Sequence, residues 1–131
     1  ERNKKSNAYI PPFGNNYTYF MGGLNGGTAK AYLQMIQTLS ENIRDDYNRG
    51  IIAMVHDESH INAYLRTHPC KKLGRVFCLP EEIVQKDDKP KNIFRNKVKL
   101  DPYFNKGRDH SLKGKLLKGL GILLRSITWY L

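Results

Sequence analysis

Five apolar residues run without interruption through residues 51–55 and lead directly into a polar cluster at residues 56–60. The run is short, follows Gly50 and has β-branched residues at both ends, which is typical of a buried strand. The same run also fits a turn of buried helix, because periodicity alone does not separate the two. Ligands of open α/β sheets bind at the carboxyl ends of strands, so the pattern predicts chemistry at residues 56–60.

A first helix is predicted between Thr28 and Gly50. Thr28 is a residue type that caps helix N-termini, and Gly50 stands where a helix commonly ends. Apolar residues recur between them at helical spacing, at Tyr32, Ile36, Leu39, Ile43 and Tyr47. Because an aromatic stripe at this spacing usually packs inward, we expect Tyr32 and Tyr47 to be core residues.

Two further strands and a second helix are predicted from composition. Residues 17–21 and 75–80 have the aromatic and β-branched content of strands. Residues 59–65 favour a helix that Pro69 ends. The inward side of that helix is predicted to carry Ile61, Tyr64 and Leu65. Residues 85–110 are polar and rich in lysine, so no regular structure is predicted there.

The C-terminal residues 111–131 predict a basic amphipathic helix. Leucines fall on one side, and Lys113, Lys118 and Arg125 lie off it. The lysines interrupt the apolar run, so we do not expect the helix to span a membrane. Two interpretations stay open: a helix on an anionic membrane surface, or a core helix with its lysines in water.

The charge of the chain is concentrated in its last third. The net charge is +10, and residues 86–131 hold 12 Lys and Arg against 4 Asp and Glu. Such a block suggests phosphates, anionic lipid or nucleic acid as a partner, with a solvated basic surface as the alternative. No nucleic-acid-binding motif is present, so nucleic acid is not expected. Cys70 and Cys78 are too few for a disulfide framework and lack zinc spacing, which indicates a reducing compartment.

Four glycines within residues 22–27 allow the backbone to approach a ligand closely. The segment matches neither of the common glycine-rich phosphate motifs. A tight turn from strand to helix explains the glycines equally well, and such a turn can shape a sugar pocket.

Three interpretations compete for the cluster at residues 56–60. A zinc site is disfavoured, because H-x-E-x-H is not the metalloprotease motif H-E-x-x-H. A helix start capped by Asp57 or Ser59 is the structural alternative. In the third interpretation the carboxylates serve a sugar. Asp57 then binds hydroxyls, and Glu58 stabilises positive charge at an anomeric carbon.

Three segments of the chain resemble the family 6 glycosyltransferases, which include the blood-group A and B transferases, the α1,3-galactosyltransferases and bacterial relatives. The segments are Y-I-P at residues 9–11, Y-F-M-G-G-L-N-G-G-T at 19–28 and H-D-E-S-H-I-N-A-Y-L at 56–65. The resemblance implies an α/β fold, the C-terminal part of a GT-A (nucleotide-diphospho-sugar transferase) fold. It also implies retaining transfer of galactose or N-acetylgalactosamine from a UDP-sugar to a galactoside acceptor in α1,3 linkage.

The resemblance also assigns roles to the residues that match the family's motifs. Glu58 matches the catalytic or acceptor-holding glutamate, Asp57 the aspartate that contacts the donor sugar, and His56 the preceding histidine on the acceptor side. Met21 and Gly23 match the two positions that select between the donor sugars.

Gly22 lies between Met21 and Gly23 in the same donor-sugar site. Lys89 and Arg95 roughly match a basic pair over the UDP phosphates, with Lys91 or Lys97 as alternatives. Cationic groups there stabilise the departing diphosphate.

Two departures from the family pattern affect these expectations. Val55 stands where many members have tryptophan, so an aromatic acceptor platform is in doubt. The family's N-terminal half, with the D-x-D motif that holds manganese (N-x-N in bacterial members), does not appear in the sequence. Asp45-Asp46 and Asp87-Asp88 are adjacent pairs that we expect to be solvated.

We therefore expect residues 1–100 to form the C-terminal half of a GT-A catalytic domain, and residues 101–131 a basic tail. Manganese can be a cofactor of the intact family enzyme on this interpretation, but the motif that holds it is not present in this chain, and no other cofactor is expected. The expected location is cytoplasmic or peripheral on the inner face of a bacterial membrane, or the Golgi lumen in a eukaryote. The alternative is a non-catalytic module that binds carbohydrate or a membrane surface.

Overall fold

The computed structural model describes residues 1–14, 17–95 and 111–130. The chain divides into two compact units, Glu1–Cys70 with Lys118–Leu131 and Lys71–Leu117. The helices are α1 (Ala29–Asn48), α2 (His56–Thr67) and α3 (Leu112–Tyr130), and the strands are β1 (Leu79–Pro80) and β2 (Ile93–Phe94). The described residues are therefore mainly helical and contain fewer strands than the sequence predicts.

Helix α1 begins and ends at the predicted capping residues. The Ala31 N–H donates to the Thr28 hydroxyl at 3.4 Å, which satisfies one of the free amides at the helix start. Gly50 has φ +72°, the left-handed conformation that glycine adopts without steric cost. Both predicted ends of this helix are confirmed.

The apolar stripe of α1 is mostly open to solvent. Leu39 is buried, and so is Ile61 of α2, where the two helices pack against each other. Tyr47, however, is 71% exposed, and Tyr32 is half-buried. The prediction that both tyrosines are core residues is wrong, because α2 covers only part of the stripe.

Residues 51–55 form no strand. Residues 51–53 have no regular structure, and a turn at residues 54–55 leads into α2. A strand needs a neighbouring backbone to pair with, and within the described residues none runs beside this segment. Its amides find other partners: Ile51 N–H donates to the Asp46 carbonyl, and Met54 N–H donates to the Glu1 carboxylate.

Residues 17–21 also lie outside any sheet. The predicted strand there is wrong for the same reason, since the main chain of Phe20 is paired with a side chain, Asn62, and not with another strand.

Helix α2 is longer than the predicted helix and starts at His56. Asp57 and Glu58 occupy its first turn, where negative charge is favourable at the positive end of the helix dipole. The Ser59 hydroxyl accepts a hydrogen bond from the Val55 N–H at 3.0 Å. Ile61 is buried as predicted, and Tyr64 and Leu65 are half-buried.

Asp46 ties three parts of the first unit together, contrary to the expectation that it is solvated. Its side chain is 1% exposed. The carboxylate accepts hydrogen bonds from the Ser6 hydroxyl at 2.5 Å and the Asn7 N–H at 2.9 Å, and pairs with Arg49 at 2.7 Å. His60 Nε2 lies 3.7 Å away. The neighbouring Asp45 stays exposed.

The second unit contains the described sheet. A 3₁₀ turn occupies Arg75–Phe77, so the strand predicted at residues 75–80 is reduced to Leu79–Pro80. This strand pairs in parallel with Ile93–Phe94, within the segment predicted to lack regular structure. Residues 96–110 of that segment lie outside the described residues.

Helix α3 ends against the N-terminal segment. The Trp129 indole N–H donates to the Ile10 carbonyl at 2.7 Å, and the Arg2 guanidinium lies 5.1 Å from the centre of the Trp129 ring. The leucines of α3 from Leu112 to Leu124 are exposed. In the described parts of the chain, no helix is both long enough and apolar enough to cross a membrane.

Candidate active site

A glycine-containing loop lies against the first turns of α2 and is held there by two side chains. We call residues 20–23 the donor loop, after the donor-sugar role that the family resemblance predicts for Met21, Gly22 and Gly23. The main-chain N–H of Gly22 donates to Oε2 of Glu58 at 2.5 Å. One helical turn later, Asn62 Oδ1 accepts from the Phe20 N–H and Asn62 Nδ2 donates to the Phe20 carbonyl, both at 2.8 Å.

The loop is also fixed from the side of α1. The carbonyl of Gly22 accepts a hydrogen bond from Asn25 Nδ2 at 2.7 Å. The hydroxyl of Tyr32 donates to Asn25 Oδ1 at 2.9 Å. Both polar groups of the Gly22 main chain are therefore satisfied by side chains, which holds the peptide in one orientation.

A side chain at position 22 would crowd the carboxylate of Glu58, which approaches the Gly22 main chain closely. A Cβ atom there would lie 3.0 Å from Glu58 Oε2 and 3.5 Å from its Cβ and Cγ atoms. No left-handed conformation is involved, since positive φ among the described glycines occurs at Gly14 and Gly50.

The three residues at the start of α2 differ in their environment. His56 is exposed and has φ +45°, a left-handed conformation that is strained for a residue with a Cβ. Such strain often occurs at functional sites. Asp57 is exposed, whereas Glu58 is half-buried beneath the donor loop.

An open groove of about 770 Å³ begins at this site. Gly22, Asn25 and Asp57 contribute to its lining. The apolar stripe of α1 contributes Tyr32, Ile36, Ile43 and Tyr47. The aromatic residues expected in the core thus line a surface beside the predicted sugar site.

The structure brings most of the predicted donor-site residues together. Met21 and Gly23 are exposed and flank Gly22, whose amide binds the carboxylate of Glu58. The groove lining includes the carboxylate-bearing Asp57, the amide-bearing Asn25 and two tyrosines, beside Gly22, which has no side chain. This arrangement can bind and orient a sugar.

The predicted phosphate-binding residues belong to the unit Lys71–Leu117, where Lys89 and Arg95 are both exposed. Of the alternatives, Lys91 places its ammonium 4.8 Å from the centre of the Phe77 ring. Lys97 lies outside the described residues.

The sequence patterns assign no role to Asn62 or Asn25, although both side chains hold the donor loop. Asn62 is 6% exposed in a stretch that is otherwise apolar or aromatic. The signal in the sequence is one polar residue within an apolar stretch, because such a residue needs hydrogen-bond partners when the stretch is buried.

His60 lies in the buried network around Asp46 and is not part of the groove lining. Its side chain is 3% exposed, and its Nδ1 atom has no hydrogen-bond partner among the described residues. Burial lowers the pKa of the imidazole, and the nearby Asp46 carboxylate opposes the shift. His56 is exposed while His60 is enclosed, so the two do not form a metal site.

The residues of the site do not fit a metal ion. Across residues 1–14, 17–95 and 111–130, no group of three or more His, Cys, Asp or Glu side chains could hold one. We therefore assign manganese no ligand among them.

The sequence matches the family model of glycosyltransferase family 6 over residues 1–101. This chain belongs to glycosyltransferase family 6. The family match includes the donor loop, Asp57 and Glu58, so the resemblance in the three sequence motifs is confirmed. It also supports a glycosyltransferase fold for this part of the chain.

Curated relatives of the family 6 chain are glycosyltransferases from animals and bacteria. It is 34% identical over 85 residues to histo-blood group ABO system transferase 1 of Rattus norvegicus, covering 64% of this chain and 24% of the relative. It is 30% identical over 105 residues to the O-antigen biosynthesis glycosyltransferase WbnI of Escherichia coli, covering 80% and 44%.

A third relative is the globoside alpha-1,3-N-acetylgalactosaminyltransferase 1 of Gallus gallus. The identity is 35% over 91 residues, covering 70% of this chain and 25% of the relative. The family 6 chain thus spans from about a quarter to less than half of these relatives. No solved structure is significantly similar to it.

Proposed function

We propose that the protein containing this chain is a retaining hexosyltransferase. It moves galactose or N-acetylgalactosamine from a UDP-sugar to a galactoside-terminated glycan in α1,3 linkage. The observation that carries the proposal is the hydrogen bond of 2.5 Å between the Gly22 amide and the Glu58 carboxylate in a family 6 chain. It holds a carboxylate at the loop that the family resemblance assigns to the donor sugar.

Glu58 is the proposed catalytic residue. Breaking the bond between sugar and UDP develops positive charge at the anomeric carbon, and a fixed carboxylate stabilises that charge. The hydrogen bond to Gly22 engages Oε2, so the other carboxylate oxygen can face the sugar or hold the acceptor hydroxyl. His56, at the strained start of α2, is proposed to contact the acceptor.

Asp57 is proposed to bind hydroxyls of the donor sugar. It is exposed and lines the groove next to Gly22. Met21 and Gly23 are proposed to select the donor through the room beside the 2-substituent of the sugar. Gly23 leaves that room, whereas Met21 fills part of it, so either donor remains in the proposal.

The leaving diphosphate is the proposed partner of the basic residues in the second unit. Lys89 and Arg95 are exposed cations, and cations stabilise the charge of the departing UDP. A comparison of transfer with manganese and with a chelator tests the dependence of the full protein on the metal.

We also propose the GT-A fold for the full protein, with residues 1–100 as the C-terminal half of its catalytic domain. The basic tail at residues 101–131 follows that domain. A cytoplasmic or peripheral inner-membrane location is proposed for a bacterial source, and the Golgi lumen for a eukaryotic one.

The direct test is transfer by the full gene product. UDP-galactose and UDP-N-acetylgalactosamine are offered with lactose and fucosylated lactose, and the product linkage is determined by NMR. The proposal predicts an α1,3-linked product that keeps the anomeric configuration of the donor. A folded protein that transfers neither sugar to either acceptor would contradict it and favour a carbohydrate-binding module.

A membrane-surface role is a second proposal, favoured by the composition of α3. Its leucines are exposed, and its charged residues are all basic: Lys113, Lys115, Lys118 and Arg125. An exposed apolar side with cationic residues is what binds anionic lipid surfaces. It would hold the enzyme near acceptors in the membrane.

Flotation with vesicles tests the membrane proposal. We expect binding to vesicles with anionic lipid, and loss of binding when Lys115 and Lys118 are changed to glutamate. Lys71→Glu with Lys72→Glu is the matched control outside α3. If the two double variants float equally, or if a protein lacking residues 111–131 floats as the wild type does, α3 is excluded as the membrane contact.

A further inference from the structure

Asn62 uses its whole side-chain amide to join the donor loop to α2. Oδ1 accepts from the Phe20 N–H, and Nδ2 donates to the Phe20 carbonyl, each at 2.8 Å. Nδ2 also donates to the main-chain carbonyl of Glu58 at 2.8 Å. The amide therefore uses both of its donors and one of its two acceptor positions.

We propose that Asn62 is a positioning residue for donor selection. It fixes the donor loop so that Met21 and Gly23 hold their places beside the sugar. This inference rests on the proposed function, because it assumes that the loop selects the donor.

The geometry around Phe20 resembles that of a strand pair. Both polar groups of its main chain are bonded to one partner, as in an antiparallel ladder, but that partner is the Asn62 side chain. The contact replaces the neighbouring strand that residues 17–21 lack among the described residues. Because Asn62 is 6% exposed, water does not readily take over its bonds.

Two anchors bracket Met21 in the chain. Asn62 holds the residue before it, and Glu58 holds the residue after it through the Gly22 amide. Both anchors lie on α2, one turn apart, and the Nδ2 bond to the Glu58 carbonyl connects them. Asn62 and Glu58 together therefore set the position of Met21 relative to the Glu58 carboxylate.

This arrangement predicts a specific kinetic effect. Loss of the Asn62 anchor shifts the selecting residues but leaves the Glu58 carboxylate in place. A misplacement of about 1 Å can cost on the order of 100-fold in rate. We expect changes in donor KM and in the ratio of the two donor sugars, with little change in acceptor KM.

The experiment uses Asn62→Asp and Asn62→Leu in the full gene product. Asp has nearly the same shape and keeps an acceptor for the Phe20 N–H but loses both donors, and Leu loses all three bonds. Transfer from UDP-galactose and UDP-N-acetylgalactosamine is measured for each variant. We expect kcat/KM to fall by about tenfold or more and the ratio between donors to change in both variants. Leu lacks all three bonds, and Asp turns an acceptor oxygen towards the Phe20 and Glu58 carbonyls.

Asn92→Leu is the matched control. The Asn92 side chain also donates to a main-chain carbonyl, that of Phe77 at 3.0 Å, but in the unit Lys71–Leu117. We expect this variant to keep the wild-type ratio of donors. Amide hydrogen exchange gives a second readout: the Phe20 and Gly22 amides should exchange faster in Asn62→Leu.

The outcomes separate this inference from the proposed function. Wild-type transfer with an unchanged donor ratio in folded Asn62→Leu overturns the role of Asn62 alone. If Asn62→Leu does not fold, the ratio of transfer from the two donors in Asn62→Asp is the test: an unchanged ratio overturns the role of Asn62. Absence of transfer by the wild-type protein overturns the proposed function and, with it, this inference.

Discussion

The main-chain N–H of Gly22 donates to the carboxylate of Glu58 at 2.5 Å, and a Cβ atom on Gly22 would meet that carboxylate at 3.0 Å. A methyl group at position 22 would therefore push the Glu58 carboxylate away from its present position.

Gly22→Ala is expected to displace the Glu58 side chain. Inserting a methylene into a close contact costs about 1–3 kcal/mol, so the free energy of unfolding should fall by about that amount. The value of kcat/KM should fall by more than the loss of folded protein accounts for, because the carboxylate moves away from the donor loop. Thermal unfolding and kcat/KM with both donors measure the two effects.

Gly26→Ala is the control for that change. No atom lies within 4 Å of a Cβ at position 26, and its φ is not positive. We expect this variant to keep both stability and activity. Equal losses in the two alanine variants would show that the loop is sensitive to any side chain, independent of Glu58.

The buried carboxylate of Asp46 predicts a difference between two adjacent aspartates. Asp46→Asn removes the charge that pairs with Arg49 and an acceptor for Ser6. We expect a loss of about 2 kcal/mol in the free energy of unfolding, measured by urea denaturation. Asp45→Asn changes an exposed carboxylate, and little change is expected. A larger loss in Asp45→Asn would contradict the assigned network.

His60 predicts a pH dependence of stability. Burial lowers its pKa below the ordinary 6.5, with the Asp46 carboxylate opposing the shift. Between the folded-state pKa and 6.5, the unfolded chain binds more protons, so stability rises with pH across that window. The contribution is fully present above pH 6.5 and is lost as pH falls towards the folded-state pKa.

Unfolding measured as a function of pH checks this dependence. The slope of the free energy of unfolding below pH 6.5 should decrease in His60→Asn. His56→Asn changes an exposed histidine and should keep the slope. If His60→Asn retains the wild-type slope, another group causes the dependence.

The helices of the fold were largely predictable from the sequence. Thr28 and Gly50 are the local signals for the two ends of α1, and they act through the cap and the left-handed turn without help from distant residues. The H-D-E-S-H segment and the glycine loop also contain candidate site residues that the structure brings into contact, Gly22 and Glu58. These are short motifs whose function depends on local spacing.

The strands were not predictable, because strand formation depends on a partner. Residues 51–55 and 17–21 have strand composition, but their backbone groups bond to Asp46, Glu1 and Asn62. The predicted burial of Tyr47 and exposure of Asp46 are wrong for a related reason. Tyr47 has core spacing but no covering neighbour within the described residues, and Asp46 looks like a surface residue until Ser6 and Asn7 enclose it.

The most direct test of the account is transfer by Glu58→Gln in the full gene product, with Glu82→Gln as control. Glutamine keeps the shape and an oxygen for the Gly22 amide but lacks the negative charge. Glu82 is an exposed glutamate in the second unit. We expect Glu58→Gln to unfold at the wild-type temperature and to lose transfer by on the order of 100-fold or more, while Glu82→Gln stays active. Wild-type turnover in a folded Glu58→Gln variant would contradict this expectation and remove Glu58 from the mechanism.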